Sequence, residues 1–346
     1  MEYFEKHKIQ SIPVDQAVGT ILRHDITQIV PDIFKGPRFR KGHLITEEDV
    51  EVLKDLGKEH IFVACLNGEI HENDAARRIA KAAAGPGLSL SDPKEGKINF
   101  TATRKGLLKV NVEALLDLNS IPDMVFATLH NNRVVQKDEE LAGTRVVPLS
   151  IDENRIIEAE AVCHGQGPIL QVVPFQAMDV SIVVTGSEVF SGRIRDGFGP
   201  VVSDKFQELD CTVLGKELVS DDQDLTTTAI QRALDNGADL VAVTGGMSVD
   251  PDDRTPAAIK AVGGEVIFYG APVLPGAMFM LARVGKATVL GLPGCVMYHR
   301  TSIFDLLVPR ILAGEELTRR DVVALGHGGF CASCKSCRFP NCHFGK

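Results

Sequence analysis

The sequence predicts an α/β protein: a parallel or mixed sheet with helices on both faces, preceded by an α+β module and a β-rich module. Two observations carry that expectation. After Met178, strand-length apolar runs alternate with helix-length amphipathic segments, the pattern of a sheet packed on both sides. Three of those runs also stop at glycine. Val180–Val184 runs into Thr185-Gly186-Ser187-Glu188, Leu240–Val243 into Thr244-Gly245-Gly246-Met247-Ser248, and Thr288–Leu292 into Pro293-Gly294. Module boundaries are expected near 1–95, 96–176, 177–315 and 316–346.

In chain order, Thr46 with Asp49 three residues on reads as a capping-box start. Val50, Leu53 and Leu56 then form one apolar face, and Gly57 ends the helix. Glu59–Ala64 reads as a strand, and Asp74–Ala84 as a helix stopped by Gly85-Pro86-Gly87. From Lys97 to Val173 the pattern is short strands at 97–102, 124–128 and 144–149 with a helix at Val112–Leu118. Beyond Met178, helices are expected at Phe198–Leu209, Asp224–Leu234, Pro256–Val262 and Val296–Leu312, the last kinked at Pro309. Strands are expected at 211–219, 240–244, 266–269 and 287–292. Thr255-Pro256 reads as an N-cap followed by proline at the first helical position.

The chain has 346 residues, 44% hydrophobic and 24% charged, with a formal charge of −9. No long Lys/Arg block is present, which argues against nucleic-acid or anionic-membrane binding. The start has no apolar h-region and no uncharged run is long enough to span a bilayer, so a cytoplasmic protein is expected. Of eight cysteines, Cys65, Cys163 and Cys211 sit singly in apolar surroundings and are expected to be inert thiols. His130 and His164 are expected to be surface or structural residues.

Glycine turns at the carboxyl ends of parallel strands let backbone N–H groups and hydroxyls approach an anion. The second turn continues through Asp250, Asp252, Asp253 and Arg254, carboxylates and a guanidinium suited to a divalent cation bridging to phosphate. A phosphorylated small ligand with Mg²⁺ is therefore expected.

The ordered set Thr185–Glu188, Val219-Ser220-Asp221-Asp222, Thr244–Ser248, Asp252–Thr255 and Leu292-Pro293-Gly294 resembles the molybdopterin-binding domain of molybdenum-cofactor biosynthesis enzymes and of the competence-damage-inducible family. It covers roughly 178–313. The resemblance implies that Thr185, Gly186, Ser187 and Glu188, with Thr244, Gly245, Gly246, Met247, Ser248 and Asp250, hold a pterin's phosphate or diphosphate. Pro293, Gly294 and Arg300 are further candidate contacts, Arg300 being expected on the helix that follows the third turn. The resemblance also implies that Asp221 and Asp253 are catalytic, with Asp252 and Asp253 holding Mg²⁺. The alternative for Asp221 and Asp222 is capping of the helix near Asp224.

Val14–Asp25 and Phe39–Thr46 resemble the molybdotransferase branch, which inserts molybdate into adenylylated molybdopterin and releases AMP. That branch's Asp-Asn-Ser-x-Met-Asp-Gly-Tyr-Ala loop and Thr-Gly-Ala-Pro turn do not occur here, and its Pro-Gly-Asn-Pro becomes Pro293-Gly294-Cys295-Val296. Cys295 reads either as a soft molybdenum ligand or as a small buried thiol. Lys35, Arg38, Arg40 and Lys41 form either a substitute anion contact or a solvated face.

The expected partners are molybdopterin or its adenylylated form, molybdate and a molybdoenzyme, in a homodimer. The competing readings are a non-catalytic cofactor carrier or sensor and a nucleotide diphosphate hydrolase of the competence-damage type. At the carboxyl end, Cys331, Cys334, Cys337 and Cys342 are separated by two, two and four residues. Four thiolates so close can share one centre, an iron–sulfur cluster or Zn²⁺, with His327 and His343 as substitutes in a zinc site.

Overall fold

A computed structural model describes residues 11–30, 34–63, 69–248 and 253–346. The expected positions Asp250 and Asp252, and the thiol of Cys65, lie outside the described residues. Two units are present. One takes residues up to Thr103 with Val110–Leu129 and Asp138–Gln171; the other takes Arg104–Lys109, His130–Lys137 and Val172–Lys346.

The first unit begins with a small core of Val14, Leu22, Ile26, Phe39, Leu53 and Ile61. Helix Glu47–Asp55 packs on it and starts with the Thr46/Asp49 capping box that the sequence predicts. A four-stranded antiparallel sheet follows, ordered Leu88–Leu90, Ile98–Ala102, Glu140–Val146, Met124–Thr128. Helices Glu72–Ala83 and Glu153–Gln166 accompany it, tied by Arg78, which donates to Glu153 at 2.6 Å and to Glu160 at 2.7 Å. The second of these helices is missing from the expected β-rich pattern. Its buried positions, Ile156, Ala159 and Cys163, keep helical spacing, but exposed Ile157 blurs the stripe.

The second unit is built on a six-stranded sheet. Its strands are β1 (Asp179–Thr185), β2 (Thr212–Val219), β3 (Leu240–Thr244), β4 (Glu265–Tyr269), β5 (Met280–Val284) and β6 (Ala287–Leu292). Their order is β2-β1-β3-β6-β5-β4, with the first four parallel and the last two antiparallel. β5 went unread in the sequence although Pro275-Gly276 and Gly285 bracket it. The connecting helices are α1 (Ser187–Phe190), α2 (Phe198–Gln207), α3 (Gln223–Asp235), α4 (Thr255–Ala261), α5 (Cys295–Tyr298), α6 (Ile303–Leu312) and α7 (Arg319–Ala324).

Side chains alternate across this sheet, as a pleat requires. Val180, Ile182, Val184, Leu240, Ala242, Leu290 and Leu292 meet α2 and α6 on one face through Phe206, Phe304 and Leu307. Val183, Val241, Val243 and Val289 meet α3 and α4 on the other through Ile230 and Ile259. Both faces are dry, which explains why these strands read as continuous apolar runs rather than alternating ones.

Two expectations are corrected here. The helix expected over Val296–Leu312 is two helices broken at His299–Ser302, not one kinked at Pro309. Ser302 and Asp305 form a capping box, so a new helix starts there and frees the turn before it. The N-cap of α4 is Arg254 rather than Thr255, whose hydroxyl is engaged elsewhere. Among the described residues no helix is long and apolar enough to cross a membrane.

Candidate functional site

The four parallel strands end level with one another. Thr185 of β1 pairs with Val219 of β2, Val184 with Thr244 of β3, and Thr244 with Leu292 of β6. The three glycine turns therefore leave the same carboxyl edge of the sheet, where open α/β sheets bind ligands.

The first turn is joined to the strand beside it. Gly186 N–H donates to the Val219 carbonyl at 3.1 Å, Ser187 N–H donates to Asp221 Oδ2 at 2.7 Å, and the Ser187 and Ser220 hydroxyls meet at 2.8 Å. Asp221 and its neighbour have different tasks. Asp222 is the N-cap of α3, accepting from Leu225 N–H at 2.9 Å, whereas Asp221 turns back to the first residue of α1. The capping alternative thus belongs to Asp222 alone. Ser187 and Glu188 are exposed.

The second turn lies against the first. Gly245 and Gly246 have φ of +88° and +56°, and a Cβ on Gly245 would come within 2.3 Å of the Thr185 carbonyl oxygen. Glycine is required there twice, for the left-handed backbone and for the approach. The Thr255 hydroxyl donates to the Gly245 carbonyl at 2.8 Å and so pins the turn to the start of α4. Met247, buried, covers Gly291 of β6, where a Cβ would lie 2.6 Å from its methyl. Its carbonyl accepts from the Tyr269 hydroxyl at 3.0 Å. Burial, and next the charge of Asp253, push the Tyr269 phenol above its ordinary value, which places that carboxylate beside the same turn. Ser248 is exposed.

Thr185 and Thr244 are buried at the strand ends. Among the described residues neither hydroxyl has a hydrogen-bond partner. Buried hydroxyls are ordinarily satisfied, so this pair marks a site short of an acceptor or donor.

At the third turn Pro293 is buried and Gly294 half-buried, leading into α5. Arg300 is exposed and lies in the turn between α5 and α6, not on a helix as expected. Its carbonyl accepts from Lys205 Nζ at 3.1 Å, and Lys205 also pairs with Asp305 at 2.7 Å. Burial raises the Asp305 carboxyl above its usual range despite that partner. Arg300 and Thr301 border two cavities, of 470 Å³ and 690 Å³. Burial also raises the Cys295 thiol. Cys163 and Cys211 are buried, their thiols pushed up to about 11 by burial, as suits inert side chains. His130, His164, Lys35, Arg38, Arg40 and Lys41 are exposed.

Cys331 and Cys342 are half-buried and Cys334 and Cys337 exposed. Among the described residues no three His, Cys, Asp or Glu side chains are gathered tightly enough to hold a metal ion. Sequence reasoning passed over Ser220, Thr255 and Tyr269 as site residues. Ser220 and Thr255, inside the quoted Val219–Asp222 and Asp252–Thr255 stretches, carried a local signal, and Tyr269 did not.

Three glycine turns on one edge, with hydroxyls and Asp221 beside them, define an α/β domain whose turns gather where open α/β sheets hold their ligands. Residues 181–313 match a family model described as a probable molybdopterin binding domain, and residues 11–65 match one described as a domain of unknown function. The molybdopterin-binding resemblance read from the turns is thus shown for that segment.

Curated relatives include a molybdopterin molybdenumtransferase of Synechococcus elongatus, 28% identical over 181 residues, covering 49% of this chain and 42% of the relative. Another is that of Staphylococcus aureus, 31% identical over 175 residues, covering 47% and 40%. The chain therefore spans about two-fifths of the length of these relatives. Among solved structures, the molybdopterin biosynthesis enzyme MoaB of Thermus thermophilus is 19% identical, covering 40% of this chain and 98% of that one at a TM-score of 0.33.

Proposed function

We propose that the α/β domain binds the phosphate-bearing end of molybdopterin, or of adenylylated molybdopterin, in molybdenum-cofactor assembly, and that it serves molybdate insertion with release of AMP. The observation that carries this reading is the abutment of the first two turns through Gly245, with the Thr185 and Thr244 hydroxyls unsatisfied beneath them. The matched family model and the names of the curated relatives support the same ligand.

In this reading N–H groups of Ser187–Glu188 and Gly245–Ser248 donate to phosphate oxygens, and Pro293-Gly294 shapes the third side. Arg300 supplies a charged donor at the rim. The donor set suits Mg²⁺, which binds through one or two carboxylates plus substrate phosphates rather than an all-protein cage. Asp221 and Asp253 are the described carboxylates that would hold it, and Asp250 and Asp252 lie outside the described residues. When bound, the ion would offset charge between these carboxylates and the phosphates. Asp221 already accepts the Ser187 N–H, so a phosphate competes with it for that donor. Recruiting Asp221 to a cation removes the conflict.

The test is release of AMP from adenylylated molybdopterin when molybdate is added with Mg²⁺. The reading expects release by the wild type and its loss in Asp253→Ala; no release by the wild type, or undiminished release by the variant, contradicts it. A second reading, a carrier that binds the finished cofactor and hands it to a molybdoenzyme, is favoured by one observation: the Asp-Asn-Ser-x-Met-Asp-Gly-Tyr-Ala loop of the molybdotransferase branch does not occur in this sequence. Tight cofactor binding without AMP release selects it.

A further inference from the structure

The cysteine segment takes no part in the pterin reading, yet it is anchored. After Ala324 the chain forms neither helix nor strand. It is held by Leu274 N–H on the Gly329 carbonyl, Cys331 N–H on the Leu274 carbonyl and Gly345 N–H on the Gly328 carbonyl, at 2.8, 2.8 and 2.9 Å. Phe344, 2% exposed, is embedded in the core beneath α6, and Cys331 and Cys342 pack against that core.

All four thiols border one open cavity of 470 Å³, which the turn Tyr298–Thr301 also lines. Arg300, Lys335, Arg338, His299 and His343 border it too, and no carboxylate does, although the chain as a whole is acidic. The Thr301 hydroxyl lies 3.3 Å from Cys337 Sγ.

We propose that this cavity is an iron–sulfur cluster site with Cys331, Cys334, Cys337 and Cys342 as its ligands. A single zinc ion with four thiolates at about 2.3 Å draws the sulfurs to tetrahedral corners roughly 3.8 Å apart. The four thiols border one open volume, which a polynuclear centre fills with inorganic sulfide while each thiolate binds its own iron. Cys331, Cys334 and Cys337 have the Cys-x-x-Cys-x-x-Cys spacing of an iron–sulfur run, and Cys342, beyond four intervening residues, borders the same cavity as the fourth ligand. Four thiolates around a cubane core carry net negative charge, which three basic side chains and the Thr301 hydroxyl are placed to balance.

The test uses the full chain without oxygen and a preformed thiolate-ligated [4Fe–4S] cluster. Transfer is ligand exchange: each protein thiol passes its proton to a departing small thiolate as its own Fe–S bond forms, and no oxidant is needed. After removal of excess cluster, about four iron and four sulfide per chain are expected, with a paramagnetic signal on reduction. The paired variant Cys334→Ser/Cys337→Ser, altered only at exposed positions, should retain neither, and Cys163→Ala should retain both. Failure of the wild type to take up the cluster overturns the proposal. So does its retention by the paired variant, or displacement of the cluster by one equivalent of Zn²⁺ bound to four thiolates. Pterin plays no part in this experiment.

Discussion

Replacing Gly245 by alanine should cost far more than the same change at Gly237, although both residues have nearly the same left-handed φ, +88° and +87°. At Gly237 a Cβ meets nothing within 4 Å. Only the left-handed strain of about 1–2 kcal/mol then applies, partly offset by about 0.4–1 kcal/mol from a less flexible unfolded chain. At Gly245 the Cβ would also lie 2.3 Å from the Thr185 carbonyl oxygen and 2.6 Å from its hydroxyl. Backbone cannot swing aside as a side-chain tip can, so the two turns must separate, which adds about 1–3 kcal/mol as for an overpacked core. With a urea slope of about 2 kcal/mol/M, the Gly245→Ala midpoint should fall about 1 M further than that of Gly237→Ala. The chain lacks tryptophan, and two of its three tyrosines, Tyr269 and Tyr298, lie in the α/β unit, so most of the tyrosine fluorescence follows that unit. Equal midpoints for the two variants would refute the close approach of the first and second turns.

Three further outcomes are expected. Asp222→Ala should lose about 1 kcal/mol with the cap of α3 while leaving pterin binding intact, and Asp221→Ala should do the reverse; denaturation and calorimetric titration separate them. Lys205→Met leaves half-buried Asp305 without its partner and the Arg300 carbonyl without a donor, costing about 2–3 kcal/mol, and adding Asp305→Asn should recover part of it in a double-mutant cycle. In the first unit, burial, with Lys41 next, lowers His71 from 6.5 to about 4. Between those values the unfolded chain holds more protons than the folded one. Stability therefore rises with pH across that window and is lost as pH falls through it. His71→Asn, which keeps an acceptor for Asn73 N–H, should flatten the melting temperature over the same range.

The α/β half was legible because its strands are buried on both faces. Val180, Ile182, Val183, Val184 and Leu240–Val243 had to be apolar, and Gly245 at the end of the second run marks a site where backbone meets backbone. Local capping chemistry was legible too: Thr46 with Asp49 starts a helix as read. The same chemistry at Ser302 and Asp305 was overlooked, because apolar periodicity runs on through the break at His299–Ser302 and hides it. Helix Glu153–Gln166 owes its form to a partner distant in sequence, the helix Glu72–Ala83 it meets through Arg78, which propensity does not reveal, whereas strand β5 is one arm of a hairpin with β6 that turns at Gly285-Lys286. At the site, the glycines and acidic residues carried their own signals. Thr255 was read as a helix cap rather than as the hydroxyl that pins the second turn, and Tyr269 carried no signal, since a hydroxyl that reaches a turn from another element leaves no local pattern.

The central claim is that three turns on one sheet edge make one anion site. A crystal structure of the chain with molybdopterin and Mg²⁺ tests it most directly. The account predicts phosphate oxygens within hydrogen-bond distance of N–H groups in both Ser187–Glu188 and Gly245–Ser248, with the cation on Asp221 or Asp253. A pterin bound away from that edge, or held there by only one of the turns, contradicts it.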